Sequence, residues 1–101
     1  MQQDIQLINQ VFEISQKIEQ EQLAAKFERN FNKIYNLFEE EGLHCINPIG
    51  EKYTESRTDC EASIVGAGGS KMKVTKVIKP ILYRQEQGQM VLVQKGIVIV
   101  E

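Results

Sequence analysis

Leu7, Val11, Ile14 and Ile18 recur at spacings of four, three and four residues, the period of one apolar face on an α-helix. Asp4 precedes this run and is placed to cap the helix start. Phe27, Phe31, Ile34 and Phe38 repeat the same spacing. The step from Ile18 to Phe27 is nine residues, about half a revolution at roughly 100° per residue, so the two stripes are out of phase on an unbroken helix. A tight hairpin turning near residues 19–22 lets the stripes meet. An unbroken helix is the rival reading, because Glu-Gln-Glu-Gln contains no breaker. Gly42 is placed to end the second helical run as a C-terminal cap residue.

Beyond Gly42 the period changes to short apolar runs between turn signals. Ile46 is followed by Asn47-Pro48 and Gly50, then Ala62 to Val65, a loop from Gly66 to Ser70, Val74 to Tyr83, a Gln-rich turn around Gly88, and Met90 to Val100. These predict strands. Pro80 cannot donate to a ladder, which puts its strand at an edge or marks a bulge. Lys95-Gly96 is a candidate bulge or tight turn within the last run. Val91 to Val93 and Ile97 to Val100 are apolar on successive positions, which predicts a central strand covered on both faces.

Composition sharpens this division. All 7 Gly and both Pro follow position 41, so a helical segment (1–41) precedes a turn-rich β segment (42–101). The expected fold class is α+β: a helical hairpin or long helix forming a dimeric bundle, then a small β-rich wing. With 101 residues the chain has no room for two independent domains. Two helices shield little interior, so Leu7, Val11, Ile14, Ile18, Phe27, Phe31, Ile34 and Phe38 are the expected dimerisation residues, a second copy completing a four-helix bundle. Packing of these residues on the chain's own sheet is the alternative. The formal net charge of −2 lacks the basic excess that nonspecific nucleic-acid binding draws on. The absence of a long apolar run or a secretory leader leads to the expectation of a cytoplasmic protein without membrane partners.

The candidate chemistry is sparse. Gly66 to Lys71 lacks the Gly-Lys-Ser/Thr ending of a phosphate loop and the third glycine of a dinucleotide fingerprint, so a hairpin loop is expected. His44 and Cys45 are neighbours, which on a strand point to opposite faces. Cys45 and Cys60 are too far apart for a paired-cysteine motif and read as two reduced thiols. No nucleophile, acid–base pair or metal set emerges, so neither an enzyme nor a cofactor, metal or small-molecule substrate is expected. Lys71, Lys73, Lys76, Lys79 and Arg84 fall within fourteen residues without an acid, a basic strip that blunts a sheet edge or meets an acidic protein surface.

The helix pair closing in Gly42-Leu43, followed by Ile46-Asn47-Pro48-Ile49-Gly50-Glu51-Lys52-Tyr53, resembles the passage from helical bundle to β-wing in the nucleotide exchange factor family GrpE, which shows Pro-x-Gly-Glu-x-Phe/Tyr there. Glu61-Ala62 looks like the pair that opens that wing, Val74 to Tyr83 like its central strand and Val91 to Val100 like its closing strand. The resemblance covers about residues 27–101. It implies a co-chaperone that binds the nucleotide-binding domain of a DnaK-type chaperone and promotes ADP release, as a homodimer. Glu51, Tyr53, Lys79, Tyr83, Gln94, Lys95 and Gly96 are its implied partner-binding residues. The chain departs from the family in lacking the long N-terminal stalk, in Lys79-Pro80 for Lys-Gly, and in Gln94 where an arginine is usual. A dimeric interaction or scaffold module without exchange is the alternative.

Overall fold

The computed structural model describes residues 2–69 and 71–101. Helix α1 spans Gln2–Gln20 and helix α2 spans Ala24–Glu40. The break between them settles the sequence alternatives in favour of the hairpin. Gln22 takes a left-handed φ of 62°, its N–H reaches Glu19 O at 3.0 Å, and the Leu23 N–H reaches Ile18 O at 3.0 Å. This paired closure is a Schellman motif built without its usual glycine. At the end of α2 the same job falls to Gly42, with φ 85° and its N–H on Glu39 O at 2.9 Å. Asp4 does not cap α1, because the helix already includes Gln2; Asp4 sits in the first turn and pairs with Arg84 at 3.0 Å.

Six strands follow: β1 (Leu43–Ile46), β2 (Cys60–Ile64), β3 (Val74–Lys79), β4 (Ile81–Glu86), β5 (Gln89–Gln94) and β6 (Gly96–Val100). They form two three-stranded sheets, ordered β1-β4-β5 and β2-β6-β3. The first is antiparallel throughout. In the second, β2 runs parallel to β6 and β3 antiparallel to it. The loop from Gly66 is therefore not a hairpin loop, since β2 and β3 flank β6 and do not pair with each other; Ser70 lies outside the described residues.

The two longest apolar runs each divide between the sheets. The chain leaves the second sheet at Pro80 to enter β4, and leaves the first at Lys95 to enter β6. Pro80 is thus a corner between strands, where its missing N–H leaves no gap in a ladder. The expected central strand holds for β6, whereas β5 is an edge strand with Met90 and Val91 exposed. Strand β3 slips register against β6 twice, between Val74 and Lys76 and between Val77 and Lys79. These two bulges turn its inward period from two to three, so Val74, Val77 and then Pro80 are the buried positions.

The helices share the core of the sheets. Ile8, fully buried, packs with Leu43 and Leu82, joined by Tyr35 and Phe38 from α2. Phe12 belongs to the larger cluster with Val74, Val77, Ile81, Val98 and Val100. The buried face of α1 is therefore Ile8 and Phe12, one step round from the stripe singled out by spacing. Of that stripe, Leu7 and Ile14 are 57% and 50% exposed, Val11 and Ile18 half-buried. On α2 Phe31, Ile34 and Phe38 are half-buried and Phe27 is exposed. Among the described residues no helix is long and apolar enough to cross a membrane.

Candidate functional site

The segment from Asn47 to Tyr53, which carries the most specific motif in the sequence, is an ordered turn pinned to the edge of β3. Asn47 Oδ1 accepts the Ile49 N–H at 3.1 Å, closing an Asx turn. Pro48 is buried and Gly50 takes φ 79°. The Gly50 N–H then donates to Val74 O at 2.8 Å, Glu51 O accepts from the Val74 N–H at 2.9 Å, and the Tyr53 N–H donates to Met72 O at 2.9 Å. Lys52 and Lys73 form the bridge between them. Tyr53 packs its ring against the larger core cluster.

Glu51, an implied partner contact, is engaged within the chain. Arg57 Nη2 donates to Glu51 Oε1 at 2.7 Å, Nη1 to Lys52 O at 3.1 Å, and Nε to Asp59 Oδ1 at 2.6 Å. The hydrogen bond from Arg57 holds the Asp59 carboxyl below its ordinary range. No motif singles out Arg57; the only signal in the sequence is a base two residues before Asp59 in a Ser/Thr-rich turn.

Gln94, Lys95 and Gly96 gather with Lys79 at the corner where the chain changes sheets. Gln94 and Asn9 exchange two side-chain hydrogen bonds, both 2.9 Å, and Gln94 Nε2 also donates to Pro80 O at 2.9 Å. The Gln94 amide thus ties α1 to the corner. Gly96 is enclosed: a Cβ built there lies 2.9 Å from Ile81 Cγ1 and 3.3 Å from Cys60 Sγ. Its N–H donates to Asp59 O at 2.9 Å, which joins this corner to the Arg57 cluster. Lys79 and Lys95 are exposed. Tyr83 stands apart, half-buried on β4 opposite His44. The basic strip is not continuous, because Arg84 turns to Asp4, while Lys71, Lys73, Lys76 and Lys79 are exposed.

A groove of about 790 Å³ separates α1 from β3, walled by amides including Gln6, Asn9 and Gln16 and floored by Val77 and Ile78. Both cysteines are free thiols. Burial pushes the Cys45 thiol up to about 12 and raises that of Cys60, which makes them poor nucleophiles near neutral pH. Among the described residues no group of His, Cys, Asp and Glu is placed to hold a metal ion. Comparison of the chain with protein-family models, curated proteins and solved structures gives no match.

Proposed function

We propose that this chain is a GrpE-like co-chaperone, binding the nucleotide-binding domain of a DnaK-type chaperone through its β part and promoting ADP release. The observation that carries the reading is the Asn47–Tyr53 turn: the stretch with the most specific resemblance is also the ordered passage from β1 in one sheet to the edge of β3 in the other. Exchange requires no catalytic group in the chain itself. It requires that the β part bind the open nucleotide cleft more tightly than the closed one, since equal affinity shifts no population. The test is release of a fluorescent ADP analogue from a DnaK-type chaperone on mixing with the chain. Accelerated release supports the reading, and release at the spontaneous rate at saturating chain defeats it.

A second reading, a dimeric interaction module without exchange, is favoured by the internal engagement of Glu51 and Gln94. Both readings use the helices for self-association, for which Leu7, Ile14, Phe27 and Leu37 offer exposed apolar surface. Leu7→Glu with Ile14→Glu is expected to give a folded monomer by sedimentation, because neither side chain is in the core. A wild-type chain that is already monomeric at micromolar concentration overturns the dimer.

A further inference from the structure

We infer that Arg57 is a positioning residue for the proposed partner-facing surface, holding the Glu51–Tyr53 segment and the Gln94–Gly96 corner in one fixed relation. This rests on the co-chaperone reading and adds to it the residue that assembles the surface.

Residues 47–59 contain no helix and no named strand, so a few discrete bonds set their course. Toward the motif, Arg57 reaches the side chain of Glu51 at 2.7 Å and the carbonyl of Lys52 at 3.1 Å. Toward the sheet, it reaches both carboxylate oxygens of Asp59, at 2.6 and 3.3 Å. Asp59 lies immediately before β2, and its carbonyl accepts the Gly96 N–H at 2.9 Å. One planar fork therefore spans two stretches of chain that meet nowhere else through a side-chain hydrogen bond among the described residues. The Arg57 side chain is only 18% exposed, and a forked, always charged donor can satisfy two carboxylates and a carbonyl together where a lysine ammonium cannot match the geometry. Gly96 sits in close quarters, a Cβ built there falling 2.9 Å from Ile81 Cγ1 and 3.3 Å from Cys60 Sγ. Loosening Arg57 would thus free the motif segment relative to the corner while the β1-β4-β5 sheet keeps its own ladder.

The test uses the whole chain in two arms. Arg57→Gln keeps a polar side chain but removes the fork and the charge; Asp59→Asn is the milder second variant should the first fold poorly. In the chain alone, amide hydrogen exchange at Tyr53 and Gly96 is expected to speed up at least about tenfold, as losing charge-assisted bonds implies, with Leu82 and Leu92 unchanged. In the second arm, affinity for a DnaK-type chaperone carrying a fluorescent ADP analogue is expected to fall by a similar factor. Faster exchange at only one of Tyr53 and Gly96, or at neither, overturns the clamp. Faster exchange at both with undiminished chaperone affinity overturns the positioning role. If the wild-type chain binds no chaperone, the co-chaperone reading and the positioning role both fall, and the exchange arm still decides the clamp.

Discussion

Two residues illustrate how single atoms constrain this chain. Gly96 is the first residue of β6, and any side chain there meets Ile81 and Cys60 in a packed corner. Gly96→Ala is therefore expected to destabilise by about 1–3 kcal/mol, the usual cost of overpacking, read as a lower urea midpoint with an unchanged slope. The sequence marks this glycine as an interruption of an apolar run, but it carries no sign that the interruption is a passage between sheets. Asp59 makes a pH prediction. Its folded pKa lies below the ordinary carboxylate value because Arg57 donates to the charged form. The stabilisation is present above the unfolded value, near pH 4, and is lost as pH falls through the depressed folded value. Asp59→Asn should narrow the gap in urea midpoint between pH 7 and pH 3; an equal gap in variant and wild type refutes the assignment. No periodicity or motif could have identified Arg57, since its role depends on where a structureless segment returns in space.

At the scale of elements, the hairpin and its two ends were legible to different degrees. Gly42 is a conventional helix stop and acts as one. The first helix ends without any conventional stop, at Gln22, so the turn could be placed only by the phase of the stripes. A non-glycine residue in the left-handed region costs roughly 1–2 kcal/mol, partly offset by the entropy a glycine loses on folding. Gln22→Gly is accordingly expected to stabilise by about 0.5–1 kcal/mol, raising Tm by several degrees in a thermal melt. A lowered Tm would mean that the Gln22 side chain contributes more than its backbone costs. The spacing of Leu7, Val11, Ile14 and Ile18 marks one apolar stripe of α1, and Ile8 and Phe12 beside it are the residues buried against the sheets. Ile5, Ile8 and Phe12 form a second stripe beside Leu7, Val11, Ile14 and Ile18, and period alone does not say which stripe meets the sheets. The β runs were located correctly but joined wrongly, because bends at Pro80 and Lys95 leave the apolar pattern unbroken.

The whole molecule measures 40 × 37 × 19 Å. Its thin dimension leaves room for about two layers of secondary structure at about 10 Å each. That geometry explains why a chain with 42% apolar residues leaves Leu7, Ile14, Leu37, Ile64 and Ile78 about half exposed. It also bears on whether the boundary at Gly42 separates two folding units. The composition changes there, but the core does not: Ile8 and Phe12 cross it into both clusters, and Asn9 and Asp4 cross it to Gln94 and Arg84. Truncating a buried Ile or Phe costs about 2–5 kcal/mol each, and total stability for a domain of this size is about 5–15 kcal/mol. Losing both anchors with their helix therefore removes most of the margin. Residues 42–101 expressed alone are expected to lack a cooperative urea transition and the dispersed amide spectrum of the whole chain. Adding a peptide of residues 2–20 in excess should restore part of that dispersion by mass action. A fragment 42–101 that unfolds cooperatively without the peptide would show that the sheets hold a self-sufficient core, and that Ile8 and Phe12 only cover it.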